Sequence, residues 1–136
     1  MSAKRVKVIL DTNLWISFLI SRNLSQLDSR IKNGTVQLVF SQELLSEFIA
    51  VASRPVFRKY FSNDDILNII EYIDNEGIIV EVKSKVSACR DSKDNFLLAL
   101  AKDSQADYLI TGDKDLLSLK TFANTLIVTF NQFLHE

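Results

Sequence analysis

Four acidic side chains in this sequence stand where carboxylates can do chemistry. Asp11 directly follows the apolar run VKVIL, and Asp113 follows the run YLIT after a single glycine. In open parallel sheets, ligands bind outside the carboxyl ends of the strands, near the point where the strand order reverses, so acids at two strand ends are candidates for one site. Asp94 opens the segment NFLLALAKDSQ, which is apolar almost all round and reads as a buried helix, so its carboxylate should lie close to the core. Glu47 lies in QELLSEFIAVAS, one turn after Glu43. At roughly 100° per residue the apolar arc of that helix is centred about 155° from Glu43 but about 115° from Glu47, which puts Glu47 nearer the edge of the buried face. Glu43, in the first turn, is explained by the helix dipole. Each acid alone has an ordinary reading as a cap, a turn residue or a solvated side chain. Those readings do not explain why acids recur at two strand ends, a helix start and a helix edge.

Carboxylates gathered within a few ångströms repel and raise one another's pKa unless cations compensate them. Hard divalent cations fit best, since Mg²⁺ prefers carboxylate and water oxygens and needs few protein ligands. His135 is the one histidine and Cys89 the one cysteine, which argues against a zinc site and against a disulfide framework. Without an internal histidine, a metal-free ribonuclease of the base-and-nucleophile type is also disfavoured. The net charge of −1 conceals an uneven distribution. Setting aside Asp11, Glu47, Asp91, Asp94, Asp113 and Asp115 reduces 17 acids to 11 against 16 basic residues, a surplus of five positive charges. With the cluster neutralised by cations, the surroundings become attractive to phosphate.

These acids have to be positioned by a regular scaffold. With 136 residues, 47% of them apolar, the chain reads as one domain over 1–136 with a core that needs no disulfide. Arg5 to Leu10 reads as a buried strand ending at Asp11, and Asn13 can cap the stretch LWISFLI. A helix from about Ser25 to Lys32 closes at Asn33-Gly34, followed by a strand over Val36 to Phe40. Ser41 caps the next helix, and Pro55 stops it. VFRKYF makes a short turn or helix, and Ser62 with Asp65 forms a capping box for a helix that ends at Gly77. A third strand over Ile78 to Val82, the helix opened by Asp94, a strand over Tyr108 to Thr111, the short helix DLLSLK and a last strand near Leu126 to Thr129 complete the order. Strands alternating with helices predict an α/β domain with a mainly parallel central sheet. The apolar run near the N-terminus is too short for a signal peptide or a membrane span, and the expected location is soluble and cytoplasmic, with no membrane partner.

Taken in order, VKVILDTNLWIS, SQELLSEFIAVASRPVFRKYF, CRDSKDNFLLALAKDSQADYLITGDKDLLSL and the closing TFNQFL resemble the PIN-domain nucleases, and within them the bacterial toxin branch similar to VapC. DTN alone is a weak signal; the order and spacing of all four blocks are specific. The resemblance implies a three-layer α/β/α sandwich, dependence on one or two Mg²⁺ or Mn²⁺ ions, and hydrolysis of single-stranded or structured RNA. It places the acidic quartet on Asp11, Glu47, Asp94 and Asp113, with Asp91 and Asp115 as additional acids. Asn13 and Thr111 fall on polar positions that orient the acids or metal-bound water. It also implies an antitoxin protein as partner, and members of the family are often homodimers.

In this frame Asp11, Asp94 and Asp113 hold the metal, while Glu47 holds a second ion or orients the attacking water. Arg54 to Phe61 interleaves Arg54, Arg58 and Lys59 with three aromatics, a composition suited to phosphate contact and base stacking. Lys4, Arg5, Arg90, Lys93 and Lys114 are further candidates for RNA contact. Two alternatives remain: a catalytically silent PIN-fold module that binds RNA or a partner, and an aspartyl-phosphate phosphatase built on Asp11. The second wants another acid two residues on, where this chain has Asn13.

Overall fold

The computed structural model describes residues 5–21, 25–86 and 92–135. The chain runs through β1 (Val6–Leu10), α1 (Thr12–Ser21), α2 (Ser25–Lys32), β2 (Val36–Phe40), α3 (Gln42–Ala52), a 3₁₀ turn (Pro55–Phe57), α4 (Asn63–Glu76) and β3 (Gly77–Ile79). It continues through α5 (Ser92–Ser104), β4 (Tyr108–Ile110), α6 (Lys114–Leu119), β5 (Thr121–Phe122), β6 (Thr125–Val128) and α7 (Phe130–Leu134). The strands form one sheet in the order β3-β2-β1-β4-β6-β5, parallel throughout except for the β5–β6 pair. The result is the expected α/β sandwich around a mainly parallel sheet.

The chain steps outward from β1 to β2 and β3, then returns to lay β4 on the other side of β1. The register sets Leu10 beside Ile110, so the residues after these two strands emerge side by side. This is the reversal point at which a doubly wound sheet leaves a crevice. Val8, Ile9, Leu10, Leu109 and Ile110 are buried, and their continuous apolar runs fit strands covered on both faces. Trp15 of α1 packs against Phe40 and Phe48, at ring-centroid distances of 5.9 and 6.4 Å, and all three rings are fully buried. That aromatic contact locks α1 to α3, and truncating such a ring typically costs about 3–5 kcal/mol.

Local chemistry sets the boundaries. Ser41 caps α3, and Ser62 with Asp65 forms the expected capping box on α4. Gly34 takes φ +84°, which lets the chain turn sharply after α2. Gly77 has a steric reason instead, because a Cβ there would lie 2.9 Å from the Ile73 carbonyl and 3.2 Å from the Phe40 ring.

Several expectations shift. Helix α1 starts at Thr12, and its cap is Asp11, whose Oδ1 accepts the Leu14 N–H at 2.8 Å, not Asn13. Helix α5 begins at Ser92, which puts Asp94 inside the first turn. Strand β3 is Gly77–Ile79, not Ile78 to Val82, because its neighbour β2 ends at Phe40 and offers only one more acceptor, the Phe40 carbonyl that takes the Val80 N–H at 2.8 Å. The β5–β6 hairpin was not expected, since its turn holds Ala123 at φ 53° where glycine or asparagine would have signalled it. Among the described residues no helix is long and apolar enough to cross a membrane.

Candidate active site

The end of β1 delivers Asp11 and the end of β4 delivers Thr111, and the two are joined directly. Asp11 is 9% exposed, and its Oδ2 accepts the hydroxyl hydrogen of Thr111, itself fully buried. The same Thr111 oxygen accepts the Asp113 N–H at 3.0 Å. One hydroxyl therefore fixes the side chain of Asp11 and the backbone of Asp113. Asp113 is the N-cap of α6, accepting the N–H groups of Asp115 at 2.8 Å and Leu116 at 3.3 Å through Oδ1.

Glu47 reaches the same region from α3. It is half-buried while Glu43 is exposed, the difference that the helix geometry predicts. Its Oε2 accepts the Thr12 hydroxyl at 2.7 Å, a bond that ties α3 to the first turn of α1. Asp94, 8% exposed, arrives in the first turn of α5. All four acids line one pocket of about 200 Å³, together with Thr12, Asn13, Val51, Arg54, Phe96 and Leu97.

The carboxyl of Asp11 is pushed above its ordinary pKa. Burial is the main cause, opposed by the hydrogen bonds from Thr111 and Leu14 and reinforced by the nearby charges of Asp113 and Glu47. The pocket thus carries an electrostatic cost that a cation would relieve. Its donor set is all hard oxygen, which fits Mg²⁺ or Mn²⁺ and excludes nothing they need. Among the described residues no three acid, histidine or cysteine side chains stand close enough together to hold a metal ion between them, so an ion here would be held by one or two carboxylates at a time. An open, acid-lined cleft suits an ion that keeps several of its waters.

The other sequence candidates divide. Asn13 lines the pocket and Thr111 braces it from below. Asp115 is exposed in the first turn of α6, outside the pocket wall. Asp91, Lys4, Arg90 and Cys89 lie outside the described residues, as does the side chain of Lys93. The stretch from Arg54 to Phe61 splits up. Arg54 enters the pocket wall, whereas Arg58 and Lys59 are exposed on the following turn, with the Lys59 ammonium 5.1 Å from the Tyr60 ring centroid. Phe61 is buried and packs on Phe57 at 6.3 Å, so these two rings belong to the core and are not available for base stacking. Lys114 is exposed beside Asp113, and Arg5 instead donates to Gln37 at 2.7 Å.

Four pocket residues, Thr12, Val51, Phe96 and Leu97, were not among the site candidates of the sequence reading. Thr12 sits between two residues that were singled out, and its hydroxyl was the available signal. Phe96 was hidden because α5 is apolar almost all round, so periodicity does not separate a core face from a pocket face.

The family model described as PIN domain matches residues 7–115. An uncharacterized protein of Methanocaldococcus jannaschii is 33% identical over 129 residues, covering 88% of this chain and 79% of that protein. Among solved structures, VapBC2 from Rickettsia felis, crystallised with a DNA fragment from its promoter, aligns with TM-score 0.62 and 14% identity over 92% of this chain and 99% of that one. PAE2754 from Pyrobaculum aerophilum aligns with TM-score 0.57 and 14% identity over 96% of this chain and 88% of that one. At that level of identity the two structures show a common fold.

Proposed function

The chain belongs to the PIN-domain family, whose members are generally nucleases, and from that premise we propose that it is a metal-dependent ribonuclease. The observation that carries this reading is the convergence of Asp11, Glu47, Asp94 and Asp113 on one pocket from four separate elements. Asp11, Asp94 and Asp113 would hold Mg²⁺ or Mn²⁺, as one ion or a pair. The bound metal would supply Lewis acidity and a water of lowered pKa.

The residues of the chain do the rest. Thr111 holds the Asp11 carboxylate and the Asp113 backbone in one fixed relation, so the two acids do not reorganise as charge develops. Thr12 fixes Oε2 of Glu47 and leaves Oε1 to hold a second ion or to orient the attacking water. Attack by water on phosphorus, with no base acting on the ribose 2′-hydroxyl and with the 3′-oxygen as leaving group, forms a P–O bond to the water oxygen and breaks the P–O3′ bond; the 3′-oxygen takes a proton, leaving a 5′-phosphate and a 3′-hydroxyl.

The fold shared with VapBC2 supports a biological role as the toxin of a toxin and antitoxin pair, with a small DNA-binding antitoxin as partner. The test of the activity is cleavage of RNA by the purified chain with Mg²⁺ or Mn²⁺, with EDTA and Asp11→Asn as controls. Cleavage that needs the metal and Asp11 is the expected result. RNA binding without metal-dependent cleavage would replace the nuclease by a binding module of the same fold.

A further inference from the structure

The four carboxylates of the pocket carry four formal negative charges, which two divalent cations would cancel. A phosphodiester brought there adds a negative charge, and more develops on its oxygens during hydrolysis, so a further cation is called for. Arg54 is the one basic residue that lines the pocket among the described residues. Glu47, Val51 and Arg54 follow one another at i, i+4 and i+7, and all three line it. The backbone holds Arg54 at that rim: its N–H donates to the Val51 carbonyl at 3.1 Å, and its own carbonyl accepts the Phe57 N–H at 2.9 Å. Its side chain is exposed, and among the described residues it forms no ion pair with a carboxylate. The charge is thus directed to the pocket mouth without being consumed by the acids below.

Phe96 reaches the same pocket from α5 and is only half-buried. Among the described residues its ring pairs with no other aromatic ring, unlike Phe57 and Phe61. A half-exposed ring lining the same pocket as a guanidinium offers a base a stacking face at a site that also has a phosphate contact. Bases in a duplex are stacked on their neighbours and do not present that face to a pocket.

We propose that Arg54 and Phe96 form the substrate grip of this site, Arg54 binding a phosphate and Phe96 stacking on the base next to it. This rests on the nuclease reading above and adds to it the two residues that choose the substrate. Arg58 and Lys59, although basic and nearby in sequence, contribute less because they stand outside the pocket wall.

The experiment is fluorescence anisotropy of a short labelled 2′-O-methyl RNA, single-stranded or annealed to its complement, with the full chain in Mg²⁺ across a salt series. Hydrolysis by water does not need the 2′-hydroxyl, so the length of the probe is checked on a gel after each titration and only intact probe is counted as bound. Arg54→Ala is expected to weaken single-strand binding about tenfold and to reduce the slope of log affinity against log salt by about 0.7, the signature of one lost phosphate contact. Arg54→Lys recovers part of the affinity. Phe96→Leu is expected to cost about tenfold on the single strand with the salt slope unchanged, and Phe96→Trp to retain binding. The duplex should bind more weakly and be indifferent to Phe96→Leu. Wild-type affinity in both Arg54→Ala and Phe96→Leu, each with an unchanged melting temperature, overturns the proposal, as does a wild-type chain that fails to bind the single strand. A chain that grips the single strand as described but never cleaves RNA retires the nuclease reading and leaves the grip standing. A chain that cleaves RNA equally well with Arg54→Ala and Phe96→Leu retires the grip alone.

Discussion

Strands β1 and β4 are bridged by an aspartate at each end. Where the strands begin, Asp107 Oδ2 accepts the Lys7 N–H at 2.8 Å; where they finish, Asp11 Oδ2 accepts the Thr111 hydroxyl. Near the starting end, at the close of α5, Asp103 takes the Ser84 hydroxyl and the N–H groups of Ser84 and Lys83. Those donors, the Ser84 hydroxyl foremost, hold its carboxyl below the usual carboxylate range. At the finishing end the donors to Asp11 are outweighed by burial, and Asp113 and Glu47 add like charge. Acids at one end of the sheet are matched to donors and join segments together. Acids at the other end are gathered against one another, which stability alone does not favour and metal binding does.

The largest effect that can separate the two ends is on catalysis. Asp11→Asn or Asp113→Asn should reduce metal-dependent RNA cleavage by at least about a hundredfold, because each removes a negative charge that would hold the divalent cation. Asp103→Asn should leave the specific activity unchanged. Equal losses in steady-state cleavage assays of all three would dissolve the distinction.

Metal protection comes next. At a hundredfold excess over its Kd, Mg²⁺ should stabilise the wild-type chain by about 2.7 kcal/mol in urea unfolding. It should stabilise Asp11→Asn far less and Asp103→Asn fully. A structural acid behaves the other way: Asp107→Ala should cost about 1.5–3 kcal/mol in the same unfolding assay, since it strands the Lys7 N–H, and Mg²⁺ should protect that variant normally.

The smallest effect has opposite signs at the two ends. The folded-state pKa of Asp11 is raised, so its contribution to stability is greatest in acid and is lost as pH rises through that pKa. In EDTA, the melting temperature of Asp11→Asn should therefore gain on that of the wild type between about pH 4 and pH 8. The pKa of Asp103 is lowered, so its contribution is present above the unfolded value and is lost as pH falls. Asp103→Asn should fall behind the wild type at neutral pH and draw level in acid. Parallel trends in the two melting series would mean that the ends do not differ electrostatically.

Much of this contrast was legible in the sequence, for reasons that can be named. Continuous apolar runs ending in Asp11 and Gly112-Asp113 revealed the strand ends, and the angular position of Glu47 on its helix separated it from Glu43. Capping signals at Ser41 and Ser62 placed two helices, since a side-chain oxygen three residues before a backbone N–H is a local pattern. What escaped was not local. The partner of the Asp11 carboxyl lies 100 residues away, just after β4, and the Thr12 hydroxyl meets a glutamate 35 residues distant. Phe96 stood in a helix without a polar face, and the division of Arg54 from Arg58 and Lys59 depends on how the chain turns at Pro55. Asp103 and Asp107 look no different from Asp11 as letters, and only their neighbours in space assign them to structure.

The central claim is that the gathered acids serve hydrolysis by water with a divalent cation, and the end groups of the cleaved RNA test it most directly. The purified chain should be incubated with single-stranded RNA and Mg²⁺ or Mn²⁺, and the product termini identified by ligation and phosphatase sensitivity. The account predicts 5′-phosphate and 3′-hydroxyl ends that appear only with the metal and disappear in Asp11→Asn. A 2′,3′-cyclic phosphate, or cleavage that persists in EDTA, would contradict it.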